Sequence, residues 1–145
     1  MIELIFVIVI LGILAAVAIP KLAATRDDAA VAKSSMEVAS AVHDFGSHYT
    51  AQGTFNFDSS EMTNVKLVQN GGGSGVMAPA DTELWHYYVK DANCVDLNVT
   101  GDGNVSVIDG ADAAVRICVM LKNGIEQLQN SSPHVYGGGA GINYD

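Results

Sequence analysis

Residues 1–22 read MIELIFVIVILGILAAVAIPKL, a run that is apolar except for a glutamate at its third position and a lysine next to its end. From Leu4 to Ile19, sixteen consecutive residues carry no charge and no strongly polar group. As a helix they span about 24 Å, a little short of a hydrocarbon core of about 30 Å. Lys21, whose aliphatic stem can lie along lipid while its ammonium reaches water, extends the stretch enough for one membrane crossing. A secretory signal peptide is a poor match, because no basic residue precedes the apolar run and no small-residue cleavage pattern ends it. A buried core helix is also a poor match, since a chain of 145 residues rarely wraps sixteen uninterrupted apolar positions on every side. Two residues strain a plain membrane-anchor reading. Glu3 places a carboxylate in apolar surroundings, and Pro20 removes a helical hydrogen bond.

Outside this segment the chain is polar and acidic. Its hydrophobic content of 49% is inflated by the first twenty residues, and its net charge is -9, with only seven Lys and Arg. No basic patch exists for nucleic acid or anionic lipid, which excludes both as partners. The length suits one domain with a modest core. The two cysteines, Cys94 and Cys118, form no CxxC and no metal-spaced cluster with histidine. In an exported head they would pair, and closing that loop stabilises a fold by about 3 kcal/mol. In a reducing compartment they would remain buried thiols. A membrane-tethered acidic domain with two cysteines favours the oxidising exterior.

The helix continues past Pro20. Ala23, Ala24, Ala29, Ala30 and Ala32 are strong helix formers, and Val31, Val38, Val42, Phe45 and Tyr49 fall on one face. Arg26, Asp27, Asp28 and Lys33 occupy other faces, and the stripe ends near Gly53. The first half-helix is therefore apolar all round and the second amphipathic. Pro20 at the junction is expected to kink or loosen the helix.

With Glu3 inside such a segment, residues 1–22 resemble the N-terminal signature of type IV pilins and the related type II secretion pseudopilins. The resemblance covers about the first quarter of the chain. It implies a leader removed by a dedicated peptidase, a methylated N-terminal residue, and subunits that pass from the lipid bilayer through an inner-membrane assembly machinery into a helical homo-oligomeric filament. In that family the glutamate lies four residues after the mature N-terminus. Two residues precede Glu3 here, so the resemblance places two further residues ahead of Met1. It gives Glu3 the role of pairing with a neighbouring subunit's ammonium. Since a carboxylate in apolar surroundings is costly unless paired, this would set axial register. A carboxylate resting at the membrane interface, favoured by the helix dipole, is the simpler alternative. Gly12 and Pro20 resemble the positions at which such helices loosen and melt on assembly; ordinary packing tolerance remains the other reading. By the positive-inside rule Lys21 and Arg26 would face the cytoplasm. The resemblance and the cysteines place them outside, with the basic residues of a leader on the cytoplasmic side.

The remainder matches that family only in general plan. The segment VKLV (Val65 to Val68) is a strand candidate, NGGGSG (Asn70 to Gly75) a loop without the GK[ST] of a phosphate cradle, and ELWHYYVK (Glu83 to Lys90) a second strand. Val95, Leu97 and Val99 alternate with Asp96, Asn98 and Thr100. After GDG, Val105 and Val107 alternate with Asn104 and Ser106, which predicts a hairpin with one buried and one wet face. ADAAVRICVML (Ala111 to Leu121) fits a helix or a strand, and GGGAGINYD a glycine-rich loop with a last short strand.

Two sharper readings compete at the hairpin. Asn98, Thr100, Asp102, Gly103, Ser106 and Asp109 fall at positions one, three, five, six, nine and twelve of an EF-hand-like calcium loop. Strand alternation around them opposes convergence on one ion, so no metal site is expected. Asn98 in DLNVT and Asn104 in DGNVS match an acidic glycosylation sequon, and Asn130 in NSS the plain one. A bare polar turn is the default.

Catalysis has little support: His43, His48, His86 and His134 are scattered, and no serine or cysteine sits in a nucleophile motif. Trp85, Tyr87 and Tyr88 read as packing beneath the long helix. No cofactor and no enzymatic activity are expected. The expected architecture is α+β: a membrane or filament-core half-helix (1–24), an amphipathic half-helix (25–52), and a small antiparallel β-sheet head (53–145). The expected function is that of a structural subunit of a type IV pilus-like filament, made at the inner membrane and displayed at the cell surface. One alternative is a major pseudopilin of type II secretion. Many of those share an Asp-Pro-Trp-Gly stretch and a C-terminal calcium loop, whereas Trp85 here sits in ELWHYY and the cysteine pair is more pilin-like. The other is a monomeric, single-span tethered binding domain.

Overall fold

The computed structural model describes residues 2–71 and 73–137. In order they form helix α1 (Ile2–Gln52), a 3-10 turn (Ser59–Glu61), strands β1 (Val68–Gln69), β2 (Thr82–Val89), β3 (Ala92–Thr100) and β4 (Asn104–Asp109), helix α2 (Arg116–Asn130) and strand β5 (His134–Val135). The architecture is α+β, as expected: a 51-residue helix, a five-stranded antiparallel sheet and a second helix. The chain divides into two compact units, Met1–Ala30 and Val31–Asp145.

The first unit is helical throughout its described residues. Pro20 lies inside α1 without ending it. The proline lacks one amide, yet the turns on either side are built from Ala, Leu, Ile and Val, which keep their own bonds. In the isolated chain every residue from Ile2 to Arg26 is exposed.

The second unit holds the core. The predicted stripe is buried as read: Val38, Val42 and Phe45 are inaccessible or nearly so, with Val31 and Tyr49 packed at the margin. Ser34, Ala41 and Gly46 join them, small residues that let α1 approach its neighbours closely. The strands follow in sequence order, each antiparallel to the next. Trp85, Tyr87 and Val89 of β2, Val95, Leu97 and Val99 of β3, and Val105 and Val107 of β4 supply the buried face. Trp85 is wholly buried, its ring 5.1 Å from that of Phe45.

The ambiguous 111–121 segment resolves into a bend and then α2. Cys118, Leu121 and Ile125 are its buried residues, spaced three and four apart, so the helical period prevails over the β-branched residues. Cys94 of β3 and Cys118 of α2 form the disulfide. The strand expected at Val65 to Val68 is largely displaced: β1 begins at Val68, which pairs with His86. Val65 and Leu67 instead lie half-buried against the core, in a segment tied to α1 by the Thr63 hydroxyl donating to Asp44 Oδ2 at 2.7 Å. The strand that does close the sheet is β5, ahead of the predicted GGGAGINYD loop. Only Gly137 of that loop lies within the described residues. Tyr136, next to β5, lies over Gly46 and donates its hydroxyl to the Val42 carbonyl at 3.0 Å.

Candidate functional site

Glu3 occupies the first turn of α1, where the positive end of the helix dipole favours a carboxylate. Its helical neighbours Ile2, Phe6 and Val7 are 82, 66 and 51% exposed. An apolar surface of this extent is far larger than isolated surface residues require, and surfaces of that kind commonly serve contact with lipid or protein. Gly12 has no atom of another segment within 4 Å of where a side chain would begin. Among the described residues nothing therefore demands a glycine there.

The hairpin residues are separated by the register of the sheet. Thr100 pairs with Asn104 next to the turn, whereas Asp109 pairs with Val95 at the far end of β4, five residues or about 17 Å away. Asp102 accepts hydrogen bonds from the Thr100 hydroxyl and, at 2.8 Å, from Asn104 Nδ2. Asp109 accepts from Lys122 Nζ and, at 3.0 Å, from Gln129 Nε2. Those donors, Lys122 first, hold its carboxyl below the usual carboxylate range. The calcium-loop set is thus not brought together. Among the described residues no group of three or more His, Cys, Asp and Glu is placed to hold a metal.

Asn98 stands on the outer face of the central strand, between Leu84 and Ser106 on its neighbours. It is half-buried, and its Oδ1 is enclosed without a hydrogen-bond partner. Asn104 is also half-buried, with its amide engaged by Asp102. Both are less open than alternation alone implies, whereas Asn130 at the end of α2 is exposed. Asp96, expected on the wet face, is on that face but only 8% exposed. The cause is His86 opposite it on β2, whose Nδ1–H donates to Asp96 Oδ1 at 2.6 Å.

The histidines serve separate ends. His48 Nδ1 donates to the Thr54 carbonyl at 3.1 Å, His134 Nε2 to the Leu128 carbonyl at 3.2 Å, and His43 is exposed on α1.

Sequence reading missed a groove beside α1 and the β2 edge. Tyr87 reaches out of the core there and donates its hydroxyl to Glu37 Oε2 at 2.5 Å. Burial, then the Glu37 bond, push the phenol up to about 12. Lys33 Nζ lies 3.2 Å from Glu37 Oε1, one turn along the helix. The i,i+4 spacing of Lys33 and Glu37 was legible in sequence; its meeting with Tyr87, fifty residues on, was not.

No family model, no curated protein and no solved structure matches the chain.

Proposed function

We propose that the chain is the structural subunit of an extracellular filament of the type IV pilus kind, held by helix packing and registered by Glu3. The chain has the architecture of such subunits in outline, a long apolar N-terminal helix followed by an antiparallel β-sheet head. The observation that carries the reading is the complete exposure of residues 2–26 in a chain whose head is otherwise closed by a core and a disulfide. Such a surface needs lipid first and like helices afterwards. The apolar helix suits a membrane or secretion route, and the disulfide an oxidising compartment outside the cytoplasm. The subunit then waits in the inner membrane with its head outside and passes to the cell surface on assembly. Its role is mechanical, not enzymatic.

In this reading Glu3 is tolerated among apolar helices only where a neighbour's N-terminal ammonium meets it, so every slipped register leaves an unpaired charge. Glu3→Ala in the full chain should leave membrane-inserted monomer at normal abundance while sheared surface filaments, imaged and weighed, fall by roughly tenfold or more. An undiminished filament yield would remove the pairing role. A wild-type chain that stays monomeric at the surface would instead favour the tethered binding domain.

A further inference from the structure

The head is strongly acidic, with five Lys and Arg against thirteen Asp and Glu between residues 31 and 145. Its few cations are not spread evenly. Lys33, Lys66 and Lys90 line a single open groove of about 600 Å³, together with Glu37, Tyr87 and Asp91. All three lysines are exposed. The groove lies where β2 ends and α1 enters the head.

The other end of the same sheet has the opposite character. Asp81 immediately precedes β2, and Asp102 sits in the turn between β3 and β4. These two loops touch, since the Gly101 amide donates to the Asp81 carbonyl at 2.9 Å. The chain leaving α1 joins them: Asn56 bridges to Val76, and the Phe57 amide donates to the Gly75 carbonyl at 2.8 Å just before Asp58. Segments 53–62, 75–83 and 100–104 contain no Lys or Arg. Asp58 and Asp102 are exposed and Asp81 half-exposed.

The eight residues of β2 lie between Asp81 and Lys90, a span of about 30 Å. Within one head the two ends cannot meet. Between two copies stacked in the same direction they can, and such a head-to-tail contact uses two different patches, so it propagates instead of closing on itself.

We propose that the lysine groove receives the acidic end of the next copy's head, with Lys66 and Lys90 facing Asp58, Asp81 and Asp102 of that copy. The contact rests on the filament reading above and adds a second register to the one at Glu3. Exposed ion pairs are individually weak. Repeated along a filament, they select the aligned neighbour and reject one that presents its own lysines.

A zero-length carbodiimide cross-linker, applied to assembled filaments of the full chain and followed by peptide mass spectrometry, tests it. Lys33 and Glu37 are close enough to link within one head and serve as the internal control. The expected products join Lys66 or Lys90 to Asp81 or Asp102, links that one head, with these groups at opposite ends of β2, cannot make. Filaments that yield the Lys33–Glu37 product without any of these overturn the groove contact and leave the filament reading standing. A chain that forms no filaments overturns both. As a second measure, Lys66→Glu should lower filament yield about two- to fivefold, the scale of one surface pair. Adding Asp102→Lys should recover most of that loss. Unchanged yield in Lys66→Glu, with the head shown folded by the fluorescence of Trp85, counts against the contact.

Discussion

The two halves of α1 share one helix and almost no chemistry. Residues 2–26 are exposed on every side and nearly all apolar, while residues 34–46 bury one narrow stripe and leave the rest to water. Among the described residues the first half buries nothing and gains from folding its own helical hydrogen bonds. The second half is part of a core in which Phe45 touches both Phe55 and Trp85. One continuous element thus joins a stretch left exposed in the isolated chain to one stabilised by the chain's own core.

That contrast is most open to test at matched apolar truncations. Phe45→Ala removes a wholly buried ring and should cost the head about 3–5 kcal/mol. Leu11→Ala, at a residue 59% exposed, should leave the head unchanged. Trp85, the chain's single tryptophan, is buried against Phe45, so its fluorescence reports head unfolding alone. If Leu11→Ala lowered the Trp85 midpoint as much as Phe45→Ala, the halves would be one cooperative unit and the contrast would collapse.

The two glycines sharpen the same comparison. An alanine at Gly46 would drive its Cβ into the Tyr136 ring, forcing out a ring whose hydroxyl holds the Val42 carbonyl. Better helix propensity returns up to about 1 kcal/mol, so a net loss of about 1–2 kcal/mol is expected in chemical denaturation. Gly12→Ala meets no atom of another segment within 4 Å and should not move the head's midpoint. Equal losses at both positions would mean that Tyr136 is not what Gly46 accommodates.

How much of this was legible beforehand follows the range of each interaction. Periodicity exposed both halves of α1, the β2 strand and the hairpin, because these depend on neighbours a few residues apart. It did not reach α2, whose helical spacing appears only when Cys118, Leu121 and Ile125 are read together beyond the 111–121 window. The outward placement of Asp96 was legible, but its burial was not, since that depends on His86 across a register broken by a bulge at Tyr87 and Tyr88. The lysine groove escaped for the same reason: Lys33, Lys66 and Lys90 meet only through the return of the chain from α1 to β1 and β2.

The smallest expected effect lies in that groove and appears only at high pH. Tyr87 is 4% exposed, and burial with the Glu37 bond raises its phenol to about 12. An unfolded tyrosine ionises near 10. The folded state therefore holds this proton more tightly, and the associated stability is complete below about pH 10 and is lost as pH rises from there through about 12. Glu37 accepts from the phenol, Lys33 pairs with Glu37, and Lys90 lines the same groove; all three remain when Tyr87 is replaced by Phe. Tyr136, also pushed up by burial, titrates in both proteins. At neutral pH Tyr87→Phe should lose about 1 kcal/mol, the worth of one hydrogen bond. Above about pH 10 the wild type declines faster, so the difference between the two Trp85 midpoints should narrow. A difference that stays constant from neutral pH to about pH 11.5 would mean that the Tyr87 proton is not linked to folding.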